Sequence, residues 1–215
     1  MNADWASQNL QTIRTLMERS ALYRRALAPI MLTVGCIGLA SALLAYQLEV
    51  NEPVPFILWW LVTALISCAT ALFLVRKQSI AAREPVWSPP ARRVVQAAAP
   101  PLAAGLFVSL VLLIMISDMS EEPPNMGRII GMIWLPLGWV ILYGCAIHAA
   151  GFFLPRGMKI FGWAFILGGC LLFAGGFPKL PPGMYAHGIM GFFFGLLHQA
   201  YGIYLYLTEK KETSA

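Results

Sequence analysis

The chain has 215 residues, of which 59% are hydrophobic and 12% charged, with a formal net charge of +5 and a mean hydropathy of +0.69. Soluble domains carry about 25% charged residues, so this composition excludes a disordered chain, a disulfide scaffold and an ordinary soluble enzyme. It predicts an integral membrane protein.

A polar lead, residues 1–25, precedes the first apolar run. Apolar residues recur in the lead at steps of three and four between Leu10 and Ala21, which predicts a short amphipathic helix. We expect this helix to lie on the cytoplasmic membrane surface. The alternative is that it docks a cytoplasmic partner. The residues that would present its cytoplasmic face are Arg14, Glu18 and Arg19.

Six uncharged runs of 18 to 25 residues follow the lead. Each is long enough to cross a bilayer, which needs about 20 apolar residues per helix, and six in succession leave too little polar surface for a soluble bundle. We predict an all-α fold with one polytopic domain of six transmembrane helices over residues 26–207 and a cytoplasmic tail, 208–215. The runs are Ala26 to Leu48, Val54 to Val75, Val95 to Ser117, Ile129 to Phe153, Ile160 to Phe177 and Met184 to Leu207.

Lysine and arginine are distributed unevenly among the connections. Thirteen lie in the lead, the second and fourth connections and the tail, whereas the other connections hold only Arg128 and Lys179. Because cytoplasmic loops carry the excess of Lys and Arg, both ends are predicted to lie inside. The net positive charge is therefore a topology signal, and we predict no nucleic-acid partner.

Glycine and histidine are concentrated in the second half of the chain. Of 19 glycines, 16 follow residue 126, as do all three histidines. Glycine lets helix backbones approach closely in lipid, so we expect the last three runs to form the tight core.

The sixth run has a regular pattern of histidine and glycine. His187, Gly191, Gly195, His198 and Gly202 recur at steps of four, four, three and four, so a regular α-helix would present them as one stripe. Because a polar side chain that faces lipid is costly, His198 is expected to point inward and to have a partner.

His148 lies in the fourth run, and both His148 and His198 are expected in the cytoplasmic half of the bundle. Three interpretations of His148 and His198 stay open: axial ligands of a b-type haem, a proton-sensitive switch or ligand contact, and hydrogen bonds across a helix interface, which we favour. The candidate polar-core or ligand-contact residues are His148, His187, His198 and Tyr201, and the packing stripe is Gly191, Gly195 and Gly202.

No apolar run contains a carboxylate, and no Walker, HExxH or GxSxG motif is present. We therefore predict no catalytic residue and no metal site. We also predict no disulfide, because the four cysteines lie on four different runs.

Proline frees backbone carbonyls that can coordinate a solute. A small permease that passes a neutral solute along Pro136 and the histidine stripe thus remains an alternative.

The lead segment Ile13–Ser20, IRTLMERS, and the closing pattern GxxxGxxHxxYG at residues 191–202 resemble uncharacterised bacterial six-span integral membrane proteins. That group has no assigned activity, and some of its members sit near winged-helix regulators. The resemblance implies a multi-pass protein of the bacterial inner membrane, acting as a non-enzymatic accessory, sensor or docking component. Its partners would be the lipid bilayer and a cytoplasmic or membrane protein, or a second copy. A b-type haem electron-transfer subunit using His148 and His198 is the other alternative, and no cofactor is otherwise expected.

Overall fold

The computed structural model describes residues 27–81, 83, 85–118, 127, 129–154, 157–176 and 180–213. All regular secondary structure within these ranges is helical. The predicted lead helix with Arg14, Glu18 and Arg19 lies outside the described residues.

Six helices are long and apolar enough to cross a membrane. The prediction of an all-α chain with six helices of this kind is therefore confirmed. Several helices extend beyond the predicted runs and continue through charged residues, as α2 does through Arg76 and Lys77. The helices are α1 (Leu27–Gln47), α2 (Pro53–Ala81), α3 (Pro89–Asp118), α4 (Ile130–Ala150), α5 (Gly157–Ala174) and α6 (Pro182–Thr208, with helix continuing to Thr213).

Helices α1, α4 and α6 contribute to both clusters of buried hydrophobic residues. In the first cluster, Val140 of α4, Phe165 of α5 and Phe193 of α6 pack together. In the second, Phe56 of α2 packs with Met132 of α4. Helices α2 and α3 lie at the periphery, since their most apolar segments are only 17% and 11% buried, against 44% to 50% for α1, α4 and α6.

Two helix pairs approach closely at glycines. Between α4 and α5, a Cβ atom at Gly162 would lie 2.6 Å from the backbone nitrogen of His148. Between α1 and α6, a Cβ atom at Gly35 would lie 2.9 Å from the backbone nitrogen of Gln199, and Gly195 packs against the backbone of Leu39. The close contact between α4 and α5 lies within the last three runs, as expected. The close contact between α1 and α6 was not expected, because α1 has only two glycines.

Candidate functional site

Helix α6 contains a π-helical segment, Gly191–Leu197, between two α-helical parts. A π turn holds more residues than an α turn, so it changes the direction of the side chains that follow. The prediction that the two histidines share one stripe with the glycines is therefore wrong, whereas the three glycines of the predicted packing stripe do share a face. Gly191, Gly195 and Gly202 all face α1, whereas the two histidines have different neighbours.

His198 is fully buried and uses both ring nitrogens. Its Nδ1 lies 3.0 Å from the carbonyl oxygen of Phe193, five residues earlier in the π segment, and its Nε2 lies 2.8 Å from the hydroxyl of Tyr143 on α4. A carbonyl only accepts, so Nδ1 donates, and in the neutral ring Nε2 accepts the Tyr143 hydroxyl proton. The ring thus satisfies a carbonyl of the π segment and joins α6 to α4.

Aromatic rings enclose the His198 imidazole. Phe161 and Phe165 of α5 meet it edge-on, with centroids 5.2 and 5.5 Å away, and Phe194 lies nearly parallel to it at 6.1 Å. Such rings exclude water from the polar pair, which makes its two hydrogen bonds costly to lose.

His187 is likewise buried with both ring nitrogens in use. The indole Nε1 of Trp60 on α2 donates to Nδ1 at 3.2 Å, and Nε2 lies 2.8 Å from the carbonyl oxygen of Val50, to which it donates. The Phe56 ring packs 5.1 Å from the imidazole. His187 therefore joins α6 to α2 and to the connection between α1 and α2.

His148 is partly buried near the end of α4, where its Nδ1 lies 3.5 Å from the carbonyl oxygen of Lys159. Its ring meets the rings of Phe152 and Trp163 edge-on, at 5.5 and 5.4 Å. Among the described residues, no hydrogen bond or ring contact joins His148 to His198. The structure therefore does not bring the two histidines into one site.

Tyr201 packs beside the aromatic cage of His198. Its ring stacks on Phe161 with centroids 4.5 Å apart and on Tyr204 at 6.0 Å. A Cβ atom at Gly157 would lie 2.8 Å from the Tyr201 hydroxyl. This residue fills the space between α6 and the beginning of α5.

A b-type haem held by two histidines needs one free ring nitrogen on each of them. Both ring nitrogens of His198 form hydrogen bonds within the protein, and the hydrogen-bond partner of His148 is a different residue, Lys159. The residues as arranged therefore do not fit a bis-histidine haem. Within the described part of the chain, no group of three or more His, Cys, Asp or Glu side chains could hold a metal ion, and the four cysteines are free thiols.

The permease alternative requires polar groups that line one path. Pro136 is fully buried next to the π segment that opens α4, and the histidines face different helices. A groove of about 470 Å³ between α5 and α6, bordered by residues such as Gly168, Gly188 and Phe193, is lined almost entirely by apolar groups. It offers little that would orient a solute.

Other polar contacts between helices were not predicted from the sequence. Ser41 of α1 and Thr63 of α2 share a hydrogen bond of 2.6 Å, and the indole of Trp59 donates to Ser41. Gln199 of α6 donates to the carbonyl oxygen of Leu32 on α1 at 2.9 Å. Tyr143, the partner of His198, is the one tyrosine in the fourth run, and that was the signal that could have found it.

No family model, curated protein or solved structure matches this chain.

Proposed function

We propose that the chain is a multi-pass protein of a bacterial cytoplasmic membrane that acts as a non-enzymatic accessory, sensor or docking component. Six apolar helices supply its membrane domain. The distribution of Lys and Arg in the sequence favours a cytoplasmic location for both ends and for the second and fourth connections. The resemblance of the lead and the closing helix to uncharacterised bacterial membrane proteins agrees with this role.

The main support for this proposal is that each of the two buried histidines uses both ring nitrogens in hydrogen bonds within the bundle. A histidine that binds a metal needs a free ring nitrogen, and a catalytic histidine needs one that reaches a substrate or a nucleophile open to substrate. Here His187 and His198 join helices instead. Chemistry by these side chains would first require the bundle to break its own hydrogen bonds.

The lead, which we expect to lie on the membrane surface, is also where a cytoplasmic partner would bind, with Arg14, Glu18 and Arg19 making the polar contacts. Charged groups at the rim of an interface give it specificity and speed association. The competing function of the lead, contact with anionic headgroups alone, depends on positive charge in a similar way. A test must therefore separate a protein partner from lipid.

Photo-crosslinking in cells separates them. A photoreactive amino acid at Glu18 is expected to give an adduct with a protein of discrete mass. The paired change Arg14→Glu and Arg19→Glu should abolish that adduct while the chain still inserts. The matched control, Lys210→Glu with Lys211→Glu in the tail, makes the same charge change and should leave the adduct intact. Adducts with lipid only, or equal loss in both variants, would contradict a docking role.

A further inference from the structure

A basic and aromatic cluster lies where α4 ends and α5 begins. It consists of His148 from the end of α4, Phe152 from the connection that follows, and Lys159 and Trp163 from α5, and we call it the α4–α5 cluster. The Lys159 ammonium lies 3.7 Å from the centroid of the Phe152 ring, and the His148 ring lies between the rings of Phe152 and Trp163. None of these side chains takes part in the buried histidine contacts described above.

The Lys159 side chain is held in place. Its stem crosses Gly151, where a Cβ atom would lie 2.9 Å from Lys159 Cγ, so only glycine leaves room for the stem. Its ammonium then rests on the face of the Phe152 ring, which attracts a cation through the ring quadrupole. A lysine positioned in this way loses less conformational freedom on binding an anion than a free one.

No acidic residue lies close to Lys159 along the chain. Residues 123–208 contain no Asp or Glu, and among the described residues Lys159 forms no ion pair. The cation–aromatic contact uses one side of the ammonium, which has three hydrogen-bond donors. The charge of Lys159 therefore remains available to an anion from outside the chain.

Large apolar side chains surround the cation on the outside of the bundle. Phe152 is 63% exposed, Ile160 73% and Trp163 47%. Aromatic residues are enriched at the membrane–water interface, where one part of the ring is in contact with apolar chains and the other with headgroups. An anion that binds here thus meets a charged group and an apolar surface side by side.

We propose that the α4–α5 cluster binds an anionic phospholipid, with the phosphate on the Lys159 ammonium and the acyl chains along Phe152, Ile160 and Trp163. Basic pockets between membrane helices bind such headgroups. This inference rests on the proposed membrane location. It goes beyond it by naming a site and the chemical class of its ligand.

Phosphatidylglycerol titrated into the full chain in neutral detergent micelles tests the site, with thermal unfolding as the readout. Phosphatidylglycerol should raise the unfolding temperature, and phosphatidylcholine should not. Lys159→Gln should raise the concentration of half-maximal protection about fivefold, which corresponds to about 1 kcal/mol for one basic residue at an anionic surface. Lys159→Arg should restore it. The matched control is Lys77→Gln, which removes an exposed lysine from the end of α2.

Three results would overturn the proposal: equal protection by the two lipids, equal shifts for Lys159→Gln and Lys77→Gln, or equal protection by soluble glycerol phosphate at the same concentration. The last would assign the site to a free phosphate. If Lys159→Gln fails to fold, Phe152→Leu keeps the charge and is expected to weaken protection by removing the ring that positions it. Micelles have no sides and hold no partner, so a wrong orientation or docking role would leave this titration unchanged.

Discussion

The hydrogen bond between Tyr143 and His198 replaces water for two groups that the bundle removes from solvent. His198 also satisfies the carbonyl of Phe193, so one side chain supports both a π segment and a contact between helices. His187 acts in the same way between α6, α2 and the α1–α2 connection. These buried hydrogen bonds thus help to determine which helices pack against one another.

Tyr143→Phe should destabilise the chain by about 1 kcal/mol, because it leaves Nε2 of His198 buried without its donor. His198→Phe removes the same hydrogen bond from the other side. The double variant should therefore lose less stability than the sum of the two single variants. Unfolding in mixed micelles with increasing dodecyl sulfate measures all three. Additive losses would mean that the two side chains do not interact.

The inward direction of His198 was predictable, since a polar group is costly in lipid. Its partner was not, because the sequence does not say which helix α6 faces. His187 is buried with polar partners as predicted, but the expectation that it shares one helix face with His198 was wrong. The π segment between the two histidines changes the helical repeat, and nothing in the residues Gly191–Leu197 distinguishes it from a regular helix.

Among the helices, the pairs α4–α5 and α1–α6 approach closely at glycines and leave no room for a Cβ atom. Gly162 lies against the backbone of His148, and Gly195 against Leu39. In contrast, a Cβ atom at Gly188 would meet nothing within 4 Å. The glycines in this chain therefore differ in how closely a neighbouring helix packs against them, although the sequence alone does not distinguish them.

Gly162→Ala is expected to cost about 1–3 kcal/mol of stability, because the added carbon forces α4 and α5 apart. Gly188→Ala, on an exposed part of α6, is the control and should be neutral or slightly stabilising, since alanine favours a helix. The same unfolding titration measures both variants. Equal effects of the two substitutions would contradict the close contact between α4 and α5.

In the molecule as a whole, the number of helices was predictable and their arrangement was not. Long uncharged runs identify spans because a bilayer demands them, and each run corresponds to one helix. The peripheral position of α2 and α3 depends on packing: from Ala64 to Ala81 no side chain of α2 is buried. A hydropathy profile cannot report this, since lipid-facing and buried helices are equally apolar.

Orientation is tested by labelling single cysteines in a variant whose four native cysteines are replaced by serine. A thiol reagent that cannot cross membranes should label Asn125→Cys, in the third connection, on intact cells. It should label Ser214→Cys, in the tail, only after the membrane is opened. The expectation follows from the 13 Lys and Arg residues on one predicted side and two on the other. Labelling in the reverse order would contradict the proposed topology.

We propose that the buried histidines hold the bundle together and bind no cofactor. The most direct test is the absorption spectrum of the purified chain, oxidised and then reduced with dithionite, beside that of His198→Phe, with iron analysis of both samples. We expect no Soret band and no stoichiometric iron in either protein, and lower stability for the variant. A Soret band that shifts on reduction, with iron equimolar with the chain and both lost in His198→Phe, would contradict the claim.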